Sequence, residues 1–171
     1  MQFILLTHPR EIEKKTNTGQ LVKAVLEGTR IILWQRTEPD ASLLQLIEQG
    51  ICALVYPVDD DPGDDCPDDV ASTATKASTA HQKRYQYYIL IDSTWQEARK
   101  IYNRSSYLHH LPRVNISSAK ASRYSLRRNQ KPGGLCTAEC AITLLRQNRF
   151  DHDAELLEKC FMHFAGINSM L

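Results

Sequence analysis

The 171-residue sequence predicts one α/β domain, a mainly parallel sheet flanked by helices. Three observations predict it. Short apolar runs rich in β-branched and aromatic residues alternate with amphipathic stretches of helical period. Several of these runs are apolar throughout, as strands covered on both faces of a parallel sheet must be. The composition, 42% apolar and 24% charged, is that of a globular chain able to bury a core of its own.

Residues 2–6, 30–35, 51–56 and 87–91 read as strands, with 113–116 a weaker fifth. Residues 19–27 read as a helix with Leu21, Val22, Val25 and Leu26 on one side and Gly28 closing it. Residues 42–49 repeat the device, with a Leu43, Leu44 and Ile47 stripe closed by Gly50. Further helices are predicted over 94–102, 137–147 and 153–164. Thr137 serves the second of these as N-cap or first-turn residue. Residues 58–81, acidic and then rich in Ser, Thr and Ala, read as a surface loop or insertion within the single 1–171 domain.

Net charge is +1, so bulk charge names no partner, but its distribution is uneven. Seven Asp and no basic residue lie between Val58 and Val70, whereas nine Lys or Arg and no acid lie between Ala98 and Ala138. Such blocks can build a basic face on a neutral protein. The five cysteines include no CxxC pair, which gives no sign of a zinc ribbon or redox dithiol. Cys136 and Cys140, four apart on a predicted helix, share a face and read as small buried side chains. No signal peptide is read after Met1, and no apolar run approaches the roughly 18 residues that span a bilayer. A cytoplasmic protein with free thiols is expected.

Three segments carry chemical potential. The apolar run 87–91 ends in Asp92, Ser93, Thr94 and then Trp95 at a helix start. In open parallel sheets ligands bind beyond the carboxyl ends of strands, so Asp92 sits where a ligand would, or simply caps the helix. Trp95 can stack on a base or serve the core. His8 to Glu11, followed by Thr16 to Gly19, forms a second turn on the same edge; capping by Asn17 and Thr18 or anion binding would each account for it. The third segment interleaves Arg123, Tyr124, Arg127, Arg128 and Lys131 ahead of Gly133 and Gly134, which suits either phosphate contacts or a solvated loop. Neither a GxGxxG nor a P-loop pattern is present.

Seven pieces occur in a telling order: His8-Pro-x-Glu11, Thr16-Asn-Thr-Gly19, Leu54-Val-Tyr-Pro57, Asp92-x-Thr-Trp95-x-x-Ala98-Arg99, Leu111-Pro112, Tyr124-x-x-Arg127 and Leu135-x-Thr137-x-Glu139. Together they resemble the DTW-domain family, whose Asp-Thr-Trp signature appears here as Asp92-Ser93-Thr94-Trp95. The likeness covers nearly the whole chain. It implies transfer of the 3-amino-3-carboxypropyl group of S-adenosylmethionine to N3 of a tRNA uridine, with methylthioadenosine as co-product. It also implies a SPOUT-like fold with a C-terminal trefoil knot. Many members carry several cysteines ahead of the first strand; here the first is Cys52.

On this resemblance Asp92 is the candidate general base, with Glu139 next in line. Leu54, Tyr56, Pro57, Ser93, Thr94, Trp95, Leu135 and Thr137 are the candidates for holding S-adenosylmethionine. His8, Arg99, Arg123, Tyr124, Arg127, Arg128 and Lys131 are the candidates for tRNA. No metal, membrane or obligate protein partner is expected. The rival readings are an S-adenosylmethionine-dependent RNA methyltransferase, a non-catalytic RNA-binding module, and a small-molecule α/β enzyme. One spatial expectation underlies the whole assignment: the turns at 54–57, 92–95 and 135–139 meet in a single pocket.

Overall fold

The structure is a computed structural model and describes residues 1–57, 84–116 and 135–166. Five strands form one parallel sheet: β1 (Gln2–Thr7), β2 (Arg30–Leu33), β3 (Cys52–Val55), β4 (Tyr87–Asp92) and β5 (Arg113–Val114). Their order is β2-β1-β4-β3-β5, and each of the four neighbouring pairs is parallel. The three inner strands, β1, β4 and β3, each carry a continuous apolar run. β1 and β4 pair along their whole length, from Gln2 opposite Tyr87 to Thr7 opposite Asp92.

Strand alternation sends side chains into two layers. Phe3, Leu5, Ala53, Tyr88 and Leu90 meet α2 (Thr18–Val25), α6 (Thr137–Gln147) and α7 (Asp151–Phe164) on one face. Ile4, Leu6, Leu54, Tyr87 and Ile89 meet α3 (Ala41–Glu48), α4 (Trp95–Asn103) and α5 (Ser106–His109) on the other. Phe3 through Leu6 are each at most 1% exposed. Burying each such side chain is worth on the order of 1.5–3 kcal/mol before conformational entropy is charged, so β1 and β4 anchor the domain.

Helix ends follow local chemistry. Asn17 caps α2, its Oδ1 accepting from Gly19 N at 2.7 Å. Asp40 caps α3 by accepting from Leu43 N at 2.9 Å. The Ser42 hydroxyl and then that N–H hold the Asp40 carboxyl below its ordinary range. Gly50 follows α3 at φ +68°, a left-handed conformation that glycine adopts at little cost. The helix after β4 is capped by Thr94, which accepts from Glu97 N at 3.4 Å. Asp92 is therefore not its cap.

Every predicted strand and helix is present, each with ends within about two residues, which is the ordinary scatter of helix and strand termini. Two single-turn helices were not anticipated: α1 (Pro9–Ile12) and α5. Each is four residues long, too short for an apolar stripe to register as periodicity. The 58–81 loop lies outside the described residues. So does the stretch 117–134.

Candidate functional site

Connections leave β1 for β2 on one side and β4 for β5 on the other, so the carboxyl ends of β1 and β4 flank a topological switch point. This crevice is filled. Asp92, 1% exposed, ends β4 there. Its carboxylate accepts from Thr137 Oγ1 at 2.8 Å, Asn17 Nδ2 at 2.9 Å and Thr7 Oγ1 at 3.3 Å. A Cβ built on Gly19 would stand 2.5 Å from Asp92 Oδ2, so only glycine lets the first turn of α2 lie this close. Thr18 Oγ1 accepts from Ala138 N at 3.4 Å and joins the starts of α2 and α6 directly.

One strand over, above the ends of β3 and β4, the edge is open. A cavity lies between the amino ends of α4 and α6. Val55, Tyr56 and Pro57 wall it from β3, and Leu90, Ile91, Ser93 and Thr94 from β4 and its turn. Trp95 and Ala98 line it from α4, and Leu135, Cys136, Thr137 and Cys140 from α6. The mainly apolar lining, with a few hydroxyls, is that of a small-molecule site. The three turns at 54–57, 92–95 and 135–139 thus do meet around one cavity.

Among the nominated residues, Tyr56, Pro57, Ser93, Thr94, Trp95, Leu135 and Thr137 line this cavity. Leu54 does not: it is 0% exposed and packs in the core with Ile4, Ile89 and Leu108. Its neighbour Val55, on the opposite face of the strand, lines the cavity instead. Asp92 is not on the wall either; its carboxylate faces Thr7, Asn17 and Thr137. Glu139 is half-buried in the first turn of α6, where its Oε2 accepts from Cys136 N at 2.9 Å.

His8 stands at the end of β1, its backbone N–H donating to Asp92 O at 3.3 Å and its ring stacked on Trp34 at 5.9 Å. The Trp34 indole donates to Ser105 Oγ at 2.9 Å. Arg99 is exposed on α4, next to the cavity residue Ala98. Arg123, Tyr124, Arg127, Arg128 and Lys131 lie outside the described residues.

Six wall residues lie outside the sequence-based assignment: Val55, Leu90, Ile91, Ala98, Cys136 and Cys140. Cys136 and Cys140 share a helix face, as their separation predicts, and that face is the cavity wall. Burial, reinforced by the charge of Glu139, pushes the Cys136 thiol up to about 12. Burial likewise raises the Cys140 thiol, with Cys136 and Glu139 adding to it. Both sulfurs are protonated at neutral pH and behave as soft apolar surface. Ala98 has a similar signal, three residues past Trp95 on the same helical face.

Among the described residues, no group of three or more His, Cys, Asp or Glu is placed to hold a metal ion, and no helix is long and apolar enough to cross a membrane. The sequence is 27% identical over 149 residues to a Drosophila melanogaster protein named tRNA-uridine aminocarboxypropyltransferase 2. The match covers 84% of this chain and 55% of that protein, so the chain spans about half its relative's length. No solved structure matches the chain. The model of the DTW domain family matches residues 1–167, and by that match the chain belongs to the DTW domain family.

Proposed function

We propose that this chain transfers the 3-amino-3-carboxypropyl group of S-adenosylmethionine to N3 of a tRNA uridine in the cytoplasm, releasing methylthioadenosine. The observation that carries the reading is the convergence of the family's three signature turns on one apolar cavity at the carboxyl edge of the sheet. The name of the Drosophila relative supports the same reaction class.

The wall suits the donor. Trp95 offers an aromatic face for the adenine, Ser93 and Thr94 offer hydroxyls for its polar groups, and Thr137 lines the wall between them and the core of α6. In the transfer, the bond from N3 to the γ-carbon forms as the carbon–sulfur bond breaks. The bonding pair goes to sulfur, which leaves as a neutral thioether, so the reaction needs positioning more than activation. The thiols of Cys136 and Cys140, held protonated, do not compete with N3 for the electrophilic carbon. N3 must lose its proton. Neither carboxylate is on the cavity wall; with that of Asp92 enclosed by Thr7, Asn17 and Thr137, we assign the proton to the half-buried Glu139 in the first turn of α6.

The tRNA approaches across the carboxyl edge. His8 and Arg99 lie along it, and Arg123, Tyr124, Arg127, Arg128 and Lys131 supply phosphate and stacking contacts. A SPOUT-like chain path with a C-terminal knot belongs to the same proposal.

Incubation with unmodified tRNA and S-adenosylmethionine, followed by nucleoside mass analysis, tests the reaction. An aminocarboxypropyl uridine together with methylthioadenosine is expected. A methylated nucleoside with S-adenosylhomocysteine would make the chain a methyltransferase instead. RNA binding without turnover would make it a binding module. Glu139→Gln keeps an acceptor for the Cys136 N–H and should lower kcat by about two to four orders of magnitude. Unchanged turnover would remove Glu139 from the role.

A further inference from the structure

Asp92 stands between the cavity and the core of the sheet, and its carboxylate contacts elements from both. β1 supplies Thr7, the loop before α2 supplies Asn17, α2 itself presses Gly19 against it, and α6 supplies Thr137. Its backbone carbonyl accepts from His8 N. Ile91 and Ser93 on either side of it, and Thr137 across from it, line the cavity.

We propose that Asp92 is a positioning residue, a clamp that holds the first turn of α6 at a set distance from the Ser93–Trp95 turn and so sets the width of the donor cavity. The inference deepens the proposed function and rests on it only for the identity of the ligand.

The physical case has three parts. First, a short carboxylate is the side chain suited to accept from hydroxyl, amide and hydroxyl at once: Asn in its place would turn an N–H toward one of those donors. Second, the carboxylate lies against the starts of two helices, where a negative charge is favoured by the exposed N–H groups. Third, β4 is fixed along its length by pairing with β1 and β3, whereas the first turn of α6 is hydrogen-bonded to the sheet edge through Thr137 and Asp92 and to α2 through Ala138 and Thr18. Loss of the Asp92 contact therefore lets the Leu135–Thr137 wall shift while the β4 wall stays in place. A carboxylate so engaged holds geometry; it does not exchange protons with a substrate in the cavity.

Gly19→Ala is the sharpest probe, because it removes no hydrogen-bonding group and lies off the cavity wall, yet sets a methyl within collision distance of the carboxylate. Thr137→Val removes one donor and Thr137→Ser restores it. Three measurements are made on the full chain: hydrogen exchange of the α6 first-turn amides, native-state modification of Cys136 by a maleimide, and S-adenosylmethionine affinity by calorimetry. Gly19→Ala and Thr137→Val should speed both exchange and modification. They should weaken S-adenosylmethionine about tenfold or more, the equivalent of one lost charge-assisted hydrogen bond. In Gly19→Ala most of kcat should survive at saturating donor, and Thr137→Ser should recover the wild-type exchange, labelling and donor affinity.

Asp92→Asn, where it folds, should follow the same pattern with an unaltered pH profile. A collapse of kcat with donor affinity and α6 protection intact would make Asp92 the base and overturn the clamp. Unchanged exchange and labelling in both Gly19→Ala and Thr137→Val would overturn it as well. If the wild-type chain binds no S-adenosylmethionine, the proposed function fails while the exchange and labelling still decide the clamp.

Discussion

Two adjacent crevices on one sheet edge have opposite characters. Between β1 and β4, at the topological switch point where an open α/β sheet ordinarily takes its ligand, the space is filled by Asp92, Asn17, Thr7 and Thr137 in a buried polar network. Between β4 and β3 the space is an apolar cavity walled by Trp95, Ala98, Tyr56 and two protonated thiols. The filled crevice has traded ligand for rigidity, and the open one has the reverse balance. A switch point thus marks the edge where a site forms but does not by itself say which inter-strand gap holds it. Side-chain volume and polarity decide that.

The most forceful way to break the contrast is to fill the open crevice. Ala98→Phe sets a ring into the cavity from α4, where Ala98 is 6% exposed on the wall. Donor affinity should fall about a hundredfold or more, since the ring and the ligand compete for one volume. Unfolding free energy should change little if the ring occupies empty space. Calorimetric titration beside urea unfolding checks both, and undiminished donor affinity would move the ligand elsewhere.

Opening the filled crevice should cost stability first. Asn17→Ala removes the α2 cap and the bonds from Asn17 Nδ2 to Asp92 Oδ2 and Glu11 O. A loss of about 2–4 kcal/mol is expected, one part from the cap and the rest from buried acceptors left short of donors. Equilibrium urea unfolding measures it. A loss below about 0.5 kcal/mol, the size of an ordinary surface substitution, would show the network to be slack.

The smallest effect is a pH dependence peculiar to the open crevice. The Cys136 thiol is raised from 9.0 in its ordinary state to about 12 by burial. Between those values the folded chain holds a proton that the unfolded chain has lost, so stability is intact below pH 9 and declines as pH rises. At pH 10 this single group should cost about 1.4 kcal/mol. Urea unfolding of wild type and Cys136→Ala at pH 8 and pH 10 isolates it. Parallel declines in the two proteins would mean that the thiol is not held protonated.

The polar network was the least legible part of the site. Asp92 was singled out by its place after an apolar strand, and Asn17 by its helix-start chemistry, yet their 75-residue separation gives no hint that they touch. Leu54 begins a motif, yet it is buried in the core while Val55 and Tyr56 after it line the wall. The i,i+4 spacing of Cys136 and Cys140 predicted a shared face and could not predict what that face meets.

What the chain determined by itself is local. Apolar runs set the strands, stripes set the helices, Asn17, Asp40 and Thr94 set helix starts, and seven motifs in order mark the family. Tertiary structure alone decided the strand order, which gap on the carboxyl edge stayed open, and which way Asp92 faces. The reason is physical. Caps and stripes are satisfied within a few residues, whereas a buried carboxylate must find its donors wherever packing brings them, here from residues 7, 17 and 137 onto residue 92.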